Sequence, residues 1–511
     1  MRALNEKGTS MRPIYRLFVV AVTAFLFTGT TQAQAPRIDP AGISGALLLC
    51  GQGDVSTTAL EKLLELAGGD KAKIVVLAAN EKTKLPAGLA QSGERLRVVL
   101  AKNAADPLRD ATAVWLMVES AGDWRDVIKQ HRLIEQCQAV LNRGGLIGAA
   151  GIGAELIGNE LKLLPAGVVE TPAAEATPML ADRLKKMPGF VGYQIDPGAA
   201  MLLRGRTISA IGEKKVTLLV AGNPSVQSFV AQGKKQQDLT ALRRHAIDRV
   251  AGFPPKMVEQ PSVEKGTLVI VGGGGTPPGL YKKFVEYAGG EGKANIVIFP
   301  TASDPIPKRD FLADLFRKSG AKRATVLYGK TQAEVESKEF LDTLKEATGI
   351  WFDGGRQWRF VDCYEQTKAL PLMFDVLKRG GVIGGTSAGA TIQGDYLCRG
   401  GVFNNFDIRY EGYERGLGFL KGVAIDQHFT QRKRQKDMTE LMKLYPQYLG
   451  IGIDEATAIV VQGSTADVIG KGKVHFYDST RKFAKGDPDS EAISAGGRYD
   501  LKERKVLTKA K

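Results

Sequence analysis

Gly385-Thr386-Ser387-Ala388-Gly389 places a serine in a G-x-S-x-G setting. The apolar run Val382–Gly384 precedes it. Small flanking residues let the backbone turn sharply from strand to helix, so the hydroxyl projects from the strand's C-terminal end. The N–H of Ala388 then faces a developing oxyanion. A serine hydroxyl attacks poorly unless a base takes its proton. The chain has four histidines: His131, His245, His428 and His475. His428, in Ile425-Asp426-Gln427-His428-Phe429, stands at an apolar strand end crowded with polar groups. It is the best-placed base, whereas a structural role is the default for His475 in the strand-like run Val474–Tyr477. The base needs an orienting carboxylate, and Asp454-Glu455 follows the apolar stretch Leu449–Ile453. The chain order serine, histidine, acid differs from the serine, acid, histidine order of α/β-hydrolases.

The chain also carries a control for this reading, because it repeats itself. Residues 46–80 match 267–303, GGLIGAAGIGAELIG (144–158) matches GGVIGGTSAGATIQG (380–394), and 195–212 matches 453–470. Gly151 stands opposite Ser387, Pro197 opposite Glu455, and no histidine occurs in 162–197. Asp196 is retained opposite Asp454, which points Asp454 to a structural role. The first copy therefore reads as a domain without the catalytic groups, and the second as the working one.

Each half opens with an apolar strand (Ala46–Cys50; Thr267–Val271), a glycine-bearing turn, an amphipathic helix (Thr58–Leu66; Leu280–Tyr287) and a second strand (Ile74–Ala78; Ile296–Phe299). The spacing predicts an α/β chain of two tandem, doubly wound, mostly parallel sheet domains. The expected boundaries are 40–250, a linker at 251–265, 266–500 and a charged tail at 501–511. Thr457–Gln462 and Lys473–Tyr477 read as strands of a sheet edge. GGGGTPPG (272–279) lacks the third glycine of a dinucleotide fingerprint, with Pro277 in its place, and reads as a tight turn.

With 511 residues, 43% hydrophobic and 24% charged, the chain fits ordinary globular protein. Arg12 and Arg16 precede the apolar run Leu17–Phe27, and Thr31-Gln32-Ala33 offers a cleavage site. This is a signal-peptide pattern over residues 1–33, and it predicts a secreted or periplasmic protein. The apolar run is short for a membrane span, so no stable insertion is expected after cleavage. Net charge is +15, but it is scattered without interleaved aromatics, which argues against nucleic-acid binding. Cys50, Cys137, Cys363 and Cys398 form no CxxC pair and read as small buried residues.

GTSAGA, DQHF followed by Arg432 and Arg434, and GIGIDEATA resemble the cyanophycinase and aspartyl dipeptidase family of serine peptidases (S51-type), related in fold to class I glutamine amidotransferases. The resemblance spans essentially all of 267–480. It implies that Ser387, His428 and Glu455 are a triad, and that the N–H of Gly355 joins that of Ala388 in an oxyanion hole. It further implies that Gln357, Asp426, Gln427, Arg432 and Arg434 bind substrate. The implied substrate is a peptide or polymer rich in aspartate and arginine, most directly cyanophycin cut to β-Asp-Arg, with no cofactor or metal; a homodimer stays open. Two positions depart from the family pattern. Arg356 replaces a frequently acidic residue, and Asp437 stands where a further arginine is usual. These departures keep open a peptidase for another aspartate-containing peptide. A non-catalytic peptide binder and an amidotransferase-like protein are the remaining alternatives; the intact serine, histidine and glutamate count against the first, and serine at 387 counts against the second.

Overall fold

The computed structural model describes residues 38–509 apart from 81–84, 86–88, 90–94, 131, 174–178, 223–224, 306–310 and 482–487. The signal-peptide pattern and His131 lie outside the described residues. Within the unit Pro36–Lys511, two lobes repeat one strand order. In the first lobe the large sheet runs Leu96–Leu100, Ile74–Ala78, Ala113–Met117, Leu146–Ala150, Ala46–Cys50, Ala200–Arg204, Thr207–Ile211 and Gln237–Asp238. In the second it runs Arg323–Val326, Asn295–Phe299, Gly349–Phe352, Val382–Thr386, Val263–Val271, Thr457–Gly463, Thr465–Gly470, Arg498–Asp500 and Lys505–Thr508. The first five strands of each series are parallel, and those that follow are antiparallel.

The parallel strands are nearly continuous apolar runs because helices cover both faces. Alternate side chains go to opposite layers. Leu268, Ile270, Phe299, Phe352 and Ile383 join one core. Val269, Val271, Ile298, Trp351 and Val382 join the other, against Phe284 and Phe316. A smaller sheet completes each lobe. In the first lobe its order is Gly167–Glu170, Val191–Gln194, Val216–Val220, Gln227–Ala231. In the second, Leu420–Gln427, Leu449–Ile453, Lys473–Asp478 and Glu491–Ser494 follow the same order, with Gly394–Leu397 added at the edge.

Three expectations change. Thr457–Gly463 is an interior strand, paired antiparallel with Val263–Val271 on one side and Thr465–Gly470 on the other. Lys473–Asp478 is likewise flanked on both sides. An apolar run shows burial but not which side of the first strand it joins. The charged tail contributes Lys505–Thr508, paired with Arg498–Asp500. The expected linker is also shorter, since the strand begins at Val263. Its remainder is packed: Phe253 is buried with the Arg415 guanidinium 4.1 Å above its ring, and Gln447 donates to the Pro255 carbonyl at 2.7 Å.

Candidate active site

Three turns at the C-terminal ends of neighbouring parallel strands converge. Gly272–Gly275 follows Val263–Val271, Gly354-Gly355 follows Gly349–Phe352, and Ser387 follows Val382–Thr386. This edge of a doubly wound sheet is the usual place for a site. Ser387 adopts φ 54 and ψ −112, and its N–H donates to the Val271 carbonyl at 3.0 Å. A non-glycine residue held in so sparsely populated a region costs about 1–3 kcal/mol. The turn is tight enough that a Cβ on Gly389 would stand 2.1 Å from the Phe352 carbonyl oxygen, which explains the final glycine of the motif.

Ser387 Oγ lies 3.0 Å from His428 Nε2. His428 Nδ1 lies 2.5 Å from Glu455 Oε1. His428 is 7% exposed, while the Glu455 side chain is 35% exposed. The Glu455 N–H donates to Gln431 Oε1 at 3.0 Å. Burial lowers the imidazole pKa below its ordinary value, the Glu455 hydrogen bond opposes that shift, and the Arg432 charge adds to it. The result favours a neutral imidazole able to accept a proton. Asp454 is not aimed at the base. Its Oδ1 accepts from the Thr430 N–H and hydroxyl at 3.0 and 2.6 Å, and its Oδ2 from the Lys473 N–H at 3.0 Å.

Ala388 opens the helix Ala388–Thr391, so its N–H has no intrahelical acceptor. Gly355 sits at φ +142, and a Cβ there would fall 2.3 Å from the Ala302 carbonyl oxygen. A Cβ on Gly354 would stand 3.6 Å from Ser387 Cβ, which places this turn beside the serine.

The residues matched to substrate binding divide. Arg432 is exposed. Gln357, Gln427, Asp426 and Arg434 are 1, 2, 0 and 5% exposed. Asp426 accepts from Arg399 Nε at 3.1 and 3.0 Å and from Arg434 Nη1 at 2.9 Å. Arg434 also donates to the Gln427 carbonyl at 2.7 Å. Asp426 and Arg434 therefore stand as an internal ion pair rather than as exposed contacts, since a buried guanidinium needs a counter-charge. Gln427 Oε1 is buried without a hydrogen-bond partner, and Gln357 Nε2 donates to the Cys398 carbonyl at 3.4 Å.

Two groups escaped sequence reasoning. Arg399 links Asp426 to Asp437, with Nη2 2.7 Å from Asp437 Oδ2, and it also donates to the Phe406 carbonyl. Arg356 donates to the Gly401 and Val402 carbonyls. Both departures from the family pattern are thus tied to the segment 399–406. The second group is Gly273 and Gly274. A Cβ at Gly273 would stand 2.4 Å from His428 Cε1, and one at Gly274 2.3 Å from Glu455 Cδ. The signal was available in the repeat, where Gln52 stands opposite Gly273. In the first lobe Gly151 keeps the serine's conformation, at φ 53 and ψ −127, with its N–H 3.0 Å from the Cys50 carbonyl. There the Gln52 side chain crosses to the Thr171 carbonyl at 2.9 Å.

Among the described residues, no cluster of histidine, cysteine, aspartate or glutamate could hold a metal, and no helix is long and apolar enough to cross a membrane. All four cysteines are buried and unpaired.

The sequence profile of peptidase family S51 matches residues 268–469. The cyanophycinase of Synechococcus elongatus is 32% identical over 230 residues, covering 44% of this chain and 71% of that protein. The cyanophycinase of Geminocystis herdmanii is 34% identical over 203 residues, covering 39% and 74%. A solved peptidase from an acI-B1 Actinobacterium superposes with a TM-score of 0.37 at 23% identity, over 47% of this chain and 98% of that one.

Proposed function

Since the chain belongs to peptidase family S51 and is a serine-type peptidase, we propose that Ser387, His428 and Glu455 are its catalytic triad and that it cleaves bonds at aspartate. The observation that carries this reading is the alignment of Ser387 Oγ, His428 and Glu455 at 3.0 and 2.5 Å. His428 Nε2 takes the Ser387 proton as Oγ attacks the carbonyl. Glu455 fixes the tautomer through Nδ1–H and stabilises the imidazolium. The N–H groups of Ala388 and Gly355 receive the oxyanion, each worth about 3–4 kcal/mol in the transition state. His428 then protonates the leaving amine, and water activated by the same imidazole releases the acyl-enzyme.

The substrate proposed is cyanophycin, after the names of the relatives, with β-Asp-Arg as product. The test is release of that dipeptide from purified polymer by the protein and by Ser387→Ala. Release that disappears in the variant supports both substrate and nucleophile. No release, with Ser387 still labelled by a fluorophosphonate, would remove the polymer and retain the peptidase. Arg356 and Asp437, both engaged with the segment 399–406, favour another aspartate-containing peptide as the second reading. We further propose that residues 1–33 direct export and that the first lobe is a duplicate without peptidase activity. The basic-then-apolar order of Arg12, Arg16 and Leu17–Phe27 supports the former, and Gly151 and Pro197 support the latter.

A further inference from the structure

Two arginines of the first lobe hold the helix that follows the Gly354-Gly355 turn. Arg206 follows the strand Ala200–Arg204. It donates to both oxygens of Asp238 in its own lobe at 2.6 and 2.8 Å. Across the lobe boundary it donates to Asp362 Oδ2 at 2.7 Å and to the Tyr413 hydroxyl at 2.5 Å. Its guanidinium carbon lies 5.0 Å from the centre of the Trp358 ring. Arg244, on the first-lobe helix Leu239–Val250, donates to Asp362 Oδ1 at 3.2 Å and pairs with Glu365. Tyr413 also donates to Asp362, at 2.8 Å.

Trp358 and Asp362 lie one turn apart on the helix Gln357–Tyr364, on the same face. That helix begins two residues after Gly355. The Arg359 guanidinium lies 5.2 Å from the same Trp358 ring, and its Nη1 donates to the Ala302 carbonyl at 3.0 Å. That carbonyl also receives the Arg356 N–H at 3.0 Å, and Gly355 is packed against it. Contacts thus run without a gap from Arg206 through Trp358, Arg359 and Ala302 to the turn beside Ser387. A transition-state donor must be held within about 0.5 Å of its productive place, and a glycine has little of its own to hold it there.

We propose that the first lobe is a positioning element for the peptidase: Arg206, with Arg244 beside it, grips Trp358 and Asp362 and so fixes where the Gly355 N–H stands relative to Ser387 Oγ. This rests on the assignment of Ser387 and Gly355 above. It gives the lobe without a nucleophile a place in the reaction of the other. Arg206 touches no substrate; it acts through the helix.

The test uses the full protein with Arg206→Met, Arg206→Lys and, as a stability control, Trp124→Leu in the first-lobe core, where Trp124 is fully buried. Three quantities are read: the rate of covalent labelling of Ser387 by a fluorophosphonate, kcat and KM on a cleaved peptide, and Tm. Labelling needs the oxyanion donors but no knowledge of the substrate. Arg206→Met is expected to label at least tenfold slower, with kcat lowered in proportion and KM within threefold. Arg206→Lys keeps the charge without the fork and recovers part of the rate. Trp124→Leu lowers Tm as much while labelling within twofold of the parent. Should Arg206→Met fail to fold, Tyr413→Phe and Trp358→Leu replace it, with the same expected slowing. Labelling by every folded Arg206, Trp358 and Tyr413 variant within twofold of the parent would overturn the proposal and leave a structural interface. A parent protein that does not label would overturn the assignment of Ser387 itself, a failure distinguishable from the first.

Discussion

Gly273→Ala tests whether the glycine-rich turn exists to make room for the base. The added Cβ would stand 2.4 Å from His428 Cε1 and 2.6 Å from Nε2. Carbon atoms in contact settle at roughly 3.5–4.0 Å, so the imidazole must retreat by about 1 Å. It cannot pivot freely, because Nδ1 is held by Glu455 at 2.5 Å and its backbone N–H by the Gly272 carbonyl at 2.8 Å. Retreat therefore opens the 3.0 Å Ser387–His428 contact toward about 4 Å, beyond hydrogen-bond range. A misplacement of that size costs about 10²-fold, and complete loss of a general base costs about 10²–10⁴-fold. The expected fall in kcat is about 10²–10³-fold, or roughly 3–4 kcal/mol, with KM nearly unchanged. Backbone strain is the competing cause, since Gly273 has φ +90. Gly275→Ala separates the two. Its φ is +116, yet its Cβ would meet nothing closer than Ala456 Cβ at 4.0 Å. It should lower Tm and leave kcat within threefold. Initial rates, burst titration of Ser387 and thermal melts give all three quantities. Equal losses of kcat in the two variants, or a Gly273→Ala protein keeping a third of the parental kcat, would refute the reasoning.

Because burial lowers the His428 pKa and the proposed mechanism uses the neutral imidazole, the acid limb of kcat/KM is expected below pH 6.5. Arg432 pushes the same way, so Arg432→Gln should move that limb to higher pH; an unmoved limb would contradict the electrostatics. Burial lowers the His245 pKa to about 3, so the folded protein excludes a proton that the unfolded chain takes up near pH 6.5. Stability from this group is complete above that value and falls by about 1.4 kcal/mol per pH unit as pH drops toward 3. Urea melts should show a shallower pH slope for His245→Asn than for the parent, and equal slopes would refute the assignment. Gly151→Ser in a Ser387→Ala background should give no fluorophosphonate labelling, since Gln52 and Pro197 stand where a base and its acid are needed; labelling there would refute that account.

Much of this was legible in the chain because the relevant patterns are local. The strands Gly349–Phe352 and Val382–Thr386 and the helix Leu280–Tyr287 announce themselves as apolar runs or amphipathic turns, and the motif around Ser387 needs only its neighbours. The burial of Asp426 and Arg434 was not legible. A basic run such as Gln431–Lys436 looks solvated until its partner is known, and the second partner, Arg399, lies 27 residues from Asp426 in sequence. Arg206 and Asp362 lie 156 residues apart, and neither stands in a motif. Each was an ordinary charged residue until folding brought opposite charges into a buried boundary. Antiparallel additions to the sheet were misplaced for a related reason, because strand order is a property of pairing and not of any single run.

The lobes also differ in where they keep strained backbone. Around the proposed triad Ser387, His428 and Ala456 sit at φ 54, 49 and 51, sparsely populated values that cost a non-glycine residue about 1–3 kcal/mol each. In the first lobe the counterparts of Ser387 and Ala456 are Gly151 and Gly198, at φ 53 and 72. The path of the chain is the same, but glycine follows it without the Cβ penalty. Backbone strain of this kind persists only where the surrounding structure over-determines it, and it gathers at functional sites. The first lobe builds the same elbow with a glycine, so the elbow by itself does not call for a serine. This contrast supports the proposed role of Ser387 independently of the motif, because it rests on backbone strain that one lobe carries and the other lacks.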